Sequence, residues 1–297
     1  MNRRRFLQVT GLALSALPLM QFGCSSTDGK GGSTQTYNAG TEPFYWDIEG
    51  SKYLIKPGAH SIAKISENRN PEWEIGGVAG AEEGAFNLPV RMTADHQENL
   101  YVVDSGNHRI VVLDNSGNFQ FHIGGYGDGD GDLNSPNDLA LDQAGNLYLC
   151  DALNHRIQIF DAMGKPVFRF GELGFEGNAL NLPCSIAVAK DKSLHVVDAG
   201  NARVQIYDTK GSYLGSYGSP GAAQGQFIKP CAIETDEIGF SYVADSVQGT
   251  VQVFDADGKY ESTITVEFPE GSLAVPMDLT WDPFGGLYIR AHPRRLV

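Results

Sequence analysis

The stretch Leu100-Tyr101-Val102-Val103-Asp104-Ser105-Gly106-Asn107-His108-Arg109-Ile110 returns 47 residues later as Leu147-Tyr148-Leu149-Cys150-Asp151-Ala152-Leu153-Asn154-His155-Arg156-Ile157. A third copy, Leu194-His195-Val196-Val197-Asp198-Ala199-Gly200-Asn201-Ala202-Arg203-Val204, follows at the same interval, and Ser241-Tyr242-Val243-Ala244-Asp245 opens a fourth. The prolines Pro89, Pro136, Pro183 and Pro230 keep the same step, with Pro276 coming 46 residues on. Asp114, Asp161, Asp208 and Asp255 do likewise. A fixed interval of this size marks a repeat architecture.

Working outward from that stretch, each unit divides into four short apolar runs separated by turn residues. In one unit they are Asp138 to Asp142, Leu147 to Asp151, Arg156 to Asp161 and Pro166 to Gly171. The turns between them contain Ala144-Gly145-Asn146, Ala152-Leu153-Asn154 and Ala162-Met163-Gly164. The runs are four to six residues long and rich in Val, Ile, Leu, Phe and Tyr, too short for helices and suited to strands. Four strands and tight turns fill a 47-residue unit, so each unit reads as one four-stranded antiparallel blade of an all-β propeller. The second run is apolar at consecutive positions (Val102-Val103, Val196-Val197), the pattern of a strand buried on both faces.

Composition agrees. The 297 residues include 36 Gly and 14 Pro without a collagen period, which implies many turns. The formal net charge of −14 repels phosphate backbones and argues against nucleic-acid partners.

The run Asp-x-x-Asn-His-Arg-Ile at 104–110 and 151–157 resembles the NHL repeat. So do the linkers Gly171-x-x-Gly174-x-x-Gly177-x-x-Leu180-x-x-Pro183 and Gly218-x-x-Gly221-x-x-x-Gly225-x-Phe227-x-x-Pro230. The resemblance covers residues 89–275 and implies closure into six blades. The units are 42–88, 89–135, 136–182, 183–229, 230–275 and a partial 276–297. In the first, Pro57 replaces the repeat Asp; in the last, Ala291 does. Six blades are expected, the last thin or completed by the segment around Thr34–Asn38. A five-bladed ring, with strands of residues 61–76 completing the C-terminal pair, stays open.

The N-terminus reads as an address. Arg3-Arg4-Arg5-Phe6-Leu7 followed by an apolar run to Phe22 resembles a twin-arginine export signal over residues 1–23. Gly23-Cys24-Ser25-Ser26 resembles a lipoprotein signal end, with Cys24 as the lipidated residue, although Gln21 departs from that pattern. The Gly/Ser/Thr-rich residues 24–41 then form a flexible tether. The expected location is the bacterial cell envelope, periplasmic or membrane-anchored, with the membrane met only through that anchor.

Residues repeated in every blade are scaffold, since one ligand has no use for four copies. The Asp/Asn/Arg set is therefore expected to hold turns, each arginine pairing with an aspartate, bidentately. Positions where blades differ are the functional candidates. Just past the linker prolines these are Arg91, Asn137, Asp138, Cys184, Ser185, Cys231 and Asp278, expected to converge at one mouth of the central channel as a ligand-binding set. A Cys184–Cys231 disulfide is allowed in an oxidising compartment if the two come close enough. Cys150 replaces Val103 and Val197 and is expected to be buried.

The NHL family includes a zinc lyase, but none of the seven histidines falls in the post-proline ring, and no CxxC pair is present. The run Asp128-Gly129-Asp130-Gly131-Asp132 lacks the Gly and Glu of an EF-hand and reads as an acidic surface loop. No metal, cofactor or catalytic residue is expected. The expected role is a monomeric binding scaffold for an envelope protein or a small polar ligand; the alternative is a propeller enzyme, a metal-dependent lyase or lactone hydrolase working in the channel.

Overall fold

A computed structural model describes residues 35–38, 44–46, 51–66, 70–267, 273–281 and 285–293. Arg3, Arg4, Cys24 and most of the expected tether lie outside them. The described chain is a β-propeller of four-stranded antiparallel blades, each strand pairing with its sequence neighbour.

Blade 1 comprises Phe44–Trp46, Lys52–Lys56, Ser61–Ile65 and Pro71–Gly76. Blade 2 comprises Pro89–Ala94, Leu100–Asp104, Arg109–Leu113 and Phe119–Ile123. Blade 3 follows with Pro136–Leu141, Leu147–Asp151, Arg156–Phe160 and Pro166–Phe170. Blade 4 takes Pro183–Val188, Leu194–Asp198, Arg203–Tyr207 and Tyr213–Tyr217. Blade 5 takes Pro230–Thr235, Ser241–Asp245, Thr250–Phe254 and Tyr260–Glu267. A sixth sheet pairs Ala274–Trp281 with Leu287–Pro293.

Of the expected closures, the six-blade form with a thin last sheet agrees with the described strands, and the two ways of completing that sheet do not. Gln35–Asn38 joins the outer edge of blade 5, in parallel with Ile264–Glu267, and does not complete the sixth sheet. Residues 61–76 belong wholly to blade 1. The sixth sheet is thin, with two described strands.

Blade packing explains the doubly apolar second strand. Successive side chains of a strand point to opposite faces, and here the two faces serve two interfaces. Val102 packs toward blade 1 with Tyr53, Ile55 and Ile62, while Val103 packs toward blade 3 with Leu139 and Leu149. Val196 and Val197 divide in the same way between blade 3 and blade 5. Every residue of the second strand is buried in blades 2 to 5. Cys150 is fully buried in the blade 3–4 interface. Each such aliphatic side chain contributes about 1.5–3 kcal/mol by burial, so the repeat stabilises itself only as a ring.

The repeated charged residues form a latch between each blade and the linker before it. Asp151 accepts from the Asn134 amide (2.7 Å), Asn154 Nδ2 (2.8 Å) and Arg156 Nε (2.7 Å). Asp104 and Asp198 repeat this with Asn107/Arg109 and Asn201/Arg203. The pairing is through Nε alone and not bidentate. The terminal nitrogens of Arg156 are taken by the carbonyls of Asp128, Gly129 and Asp132. That also fixes the acidic loop: its carbonyls are turned to an arginine, and Asp130 pairs with Arg169 at the surface.

His108 and His155 sit in the left-handed region, φ +55° and +53°, and their Nδ1 atoms accept the Ser135 and Leu182 amides of the next linker. His60 does the same for Leu88, so blade 1 keeps this contact although it lost the Asp. Gly76, Gly124, Gly171 and Gly218 open the linkers with φ between +79° and +95°, which a side chain would strain.

Candidate functional site on the propeller axis

The linker proline opens the innermost strand of blades 2 to 5, so residues equally far beyond it reach the axis at one level. Two places on stand Arg91, Asp138, Ser185 and Ala232, with Asp278 from the sixth sheet. Four places on stand Thr93, Ala140, Ala187 and Glu234, with Thr280.

Arg91 is the hub of the first level. Its Nε lies 2.9 Å from Asp138 Oδ1, and its Nη2 3.0 Å from Glu234 Oε1. Its Nη1 donates to Asp278 Oδ1 and, at 3.0 Å, to the Leu279 carbonyl. One side chain of blade 2 thus ties blades 3, 5 and 6 across the axis. Asp138 Oδ2 accepts from Ser185 Oγ (2.6 Å) and the Ile186 amide (3.1 Å), and Ser185 Oγ accepts the Ile233 amide (3.1 Å). Asp278 Oδ2 stands 3.7 Å from Arg290 Nε, an ion pair without a hydrogen bond.

Three carboxylates face two arginines in this buried place, so the cluster carries surplus negative charge. Burial, reinforced by Asp138 and Asp278 and opposed by Arg91, pushes the Glu234 carboxyl up to about 8. Burial also raises Asp138, against the pull of Arg91. Burial works against the charge on Arg91, but Asp138, Asp278 and Glu234 outweigh it and hold the guanidinium well above its usual range. Of these groups Glu234, raised to about 8, is the one that holds a proton into the neutral range.

Beyond this cluster, on the side away from the linker prolines, lies a cavity of about 190 Å³. Its polar wall is Arg91, Glu234, Thr93, Thr235, Thr280 and Tyr45, whose hydroxyl accepts the Ala94 amide. Its apolar wall includes Leu141, Ile186 and Val188. Room exists because Ala140 and Ala187 stand where blade 5 has Glu234 and blade 2 has Thr93.

Of the residues singled out from sequence, Arg91, Asp138, Ser185 and Asp278 come together in one network, and Arg91 lines the cavity. Asn137, Cys184 and Cys231 do not join them. They lie one place past the prolines and stitch each blade to the next. Asn137 Nδ2 donates to the Cys184 carbonyl (3.0 Å), Cys184 Sγ to that of Cys231 (3.6 Å), and Cys231 Sγ to that of Pro276 (3.4 Å). Both thiols are free. Burial pushes Cys231 up to about 12 and Cys184 well above the usual thiol range, so neither is a ready nucleophile. Glu234 was missed. Its signal was present: at the equivalent places stand Thr93, Ala140 and Ala187, so a lone carboxylate breaks the repeat.

The arrangement does not suit a resident metal. The carboxylates close around a guanidinium, which occupies the place an ion would need, and no set of three His, Cys, Asp or Glu among the described residues could hold one. His60, His108 and His155 are spent on the linkers, and His195 is buried between blades 4 and 5.

A family model described as a six-bladed β-propeller matches residues 90–174. Solved structures similar to this chain include virginiamycin B lyase from Staphylococcus aureus, 14% identical with a TM-score of 0.61 over 86% of this chain and 84% of that one. A gluconolactonase from Xanthomonas campestris is 20% identical, TM-score 0.62, over 84% and 82%. A chain of a nidogen/laminin complex is 20% identical, TM-score 0.57, over 83% of each. At these identities the likeness is one of fold, and the fold serves enzymes and binders alike. No curated protein matches the chain in sequence.

Proposed function

We propose that this chain is an NHL-type propeller that binds a small polar molecule in its axial cavity without transforming it, exported by the signal in residues 1–23 and tethered through Cys24. The observation that carries the reading is the cavity itself. It opens where the repeat is broken, and Arg91 and Glu234 from different blades meet at its wall. Concave places with a few convergent polar groups are the usual seats of small ligands.

The test fills the cavity. Ala187→Leu puts bulk into it without touching a charge. Ligand-detected NMR with a mixture of small amines, acids, alcohols and sugars should show contacts with the native protein that vanish in the variant. Equal binding by both proteins would overturn the axial assignment. Mass spectrometry of envelope-purified protein checks the export reading, with a diacylated N-terminus at Cys24 expected.

One observation favours an enzyme instead: Glu234 keeps a proton near neutral pH beside an open cavity, as a general acid does. Turnover of a lactone panel by the native protein, lost in Glu234→Gln, would establish that reading and displace the first.

A further inference from the structure

The axial cavity is short of cations. Its polar wall offers acceptors: Glu234 Oε1 is on Arg91, while Glu234 Oε2 makes no hydrogen bond to a described residue. The hydroxyls of Thr93 and Thr280 likewise have no partner among the described residues, and each faces the cavity from another blade. Thr235 Oγ1 reaches the Val188 carbonyl at 3.5 Å. Arg91 is already committed to three carboxylates and the Leu279 carbonyl, so it has little left for an anion.

Three free acceptors from three blades, one of them a carboxyl that can ionise, stand together on one wall. That is the complement of a group with three N–H donors and one positive charge. A guanidinium is planar and wider. An alkali ion wants more oxygens at shorter range, and a carboxylate guest would set a further negative charge beside Asp138 and Asp278, with Arg91 already taken. The rest of the wall, with Leu141, Ile186 and Val188, is aliphatic. At about 190 Å³ the cavity lies below the range usual for drug-sized ligands, so the guest is a small molecule.

We propose that the cavity binds a short alkyl primary ammonium, its charged nitrogen held by Glu234 Oε2 and the hydroxyls of Thr93 and Thr280, and its alkyl chain against Leu141, Ile186 and Val188. This rests on the cavity reading and narrows it. Binding converts the neutral Glu234 carboxyl into a carboxylate paired with the ammonium, and the displaced proton passes to solvent. No bond to carbon is made or broken.

The experiment titrates the full chain with n-butylammonium, n-butanol and butyrate by calorimetry and ligand-detected NMR at pH 7. Butylammonium should bind at least tenfold more tightly than either isostere. Measured in buffers of different ionisation enthalpy, its binding should release a fraction of a proton. Glu234→Gln should cost tenfold or more in ammonium affinity and abolish the release, while leaving butanol unchanged. Thr93→Val should weaken the ammonium severalfold, a variant that keeps shape and leaves the charge network intact. If butanol matches butylammonium, or butyrate exceeds it, the ammonium assignment fails and the cavity reading stands. If none of the three binds and Ala187→Leu changes no contact in the mixture screen, both fail.

Discussion

The latches on the linker face and the cluster on the axis use the same residue types under opposite rules. At Asp104, Asp151 and Asp198 one carboxylate meets one arginine, and neighbouring amides fill its remaining lone pairs. Charge is balanced within each blade, and the arrangement is copied along the chain. At the axis, three carboxylates from three blades share Arg91, with Arg290 at a distance, and only the aspartate of blades 3 and 6 is copied. Balanced, repeated charge holds a ring together. Unbalanced charge at a place where blades differ leaves capacity for something from outside. Blade 5 sharpens the point: Thr250 stands in the arginine's place, and Asp245 is satisfied by the amides of Ile228, Lys229, Val247 and Gln248. The latch therefore needs donors and not specifically a cation.

The largest effect is expected from Arg91→Met. It strands Asp138, Asp278 and Glu234 against one another in a buried site, and breaking such a pair costs about 3–5 kcal/mol. Urea unfolding would measure it. Loss of affinity with unchanged stability, the behaviour of a residue that only binds, would show that the network is not part of the scaffold. Arg156→Ala should cost less, about 1–3 kcal/mol, because Asp151 keeps the Asn134 amide, Asn154 and Gln158. At the same register Thr250→Ala should change stability by no more than about 0.5 kcal/mol. If Arg156→Ala exceeds Arg91→Met, the contrast between face and axis is reversed.

A pH profile separates the two regions without a ligand. Glu234 is raised to about 8 in the folded chain, so between its unfolded range near 4.5 and about 8 the native state holds a proton the unfolded chain has lost. Stability from this group is complete below the unfolded pKa and declines as pH rises through 8. The melting temperature of the native protein should fall across that window, and Glu234→Gln should flatten the decline. Arg156→Ala should shift the whole curve and keep its shape.

How much of this was legible in sequence follows from the same contrast. A feature copied every 47 residues announces itself, so the blades, their strands and the latch aspartates could be read from spacing alone. Single-copy features carry no such reinforcement. Arg91, Asp138, Ser185 and Asp278 were found because the linker proline marks their distance from the axis. Glu234 lies two residues further along the strand, past the point where that landmark drew attention. Asn137, Cys184 and Cys231 come one residue earlier on these strands and bond to the inner-strand carbonyls of the next blade, apart from the Arg91 network. The place of Gln35–Asn38 was out of reach, because its pairing with blade 5 depends on an edge that no local pattern specifies.

Blade 4 supplies the most discriminating effect. In blades 2, 3 and 5 a tyrosine on the second strand donates to the aspartate of the preceding hairpin: Tyr101 to Asp95, Tyr148 to Asp142 and Tyr242 to Asp236. Blade 4 changes both partners at once, to His195 and Ala189. His195 instead lies within 3.1–3.3 Å of Ser193, Tyr217 and Ser241, and burial drives its pKa down to about 4 despite Asp191 nearby. A buried neutral histidine favours the fold fully above its unfolded pKa near 6.5 and loses that contribution as pH falls toward 4. His195→Tyr alone removes this acid sensitivity but leaves a hydroxyl facing Ala189. Adding Ala189→Asp should restore the repeat's own pair, with a coupling of about 1 kcal/mol in a double-mutant cycle at pH 7. Additive effects would mean that the two substitutions are unrelated. Coupling would mean that one blade exchanged a repeated contact for a buried histidine as a unit, the same local departure from the repeat that, at the axis, opened a cavity.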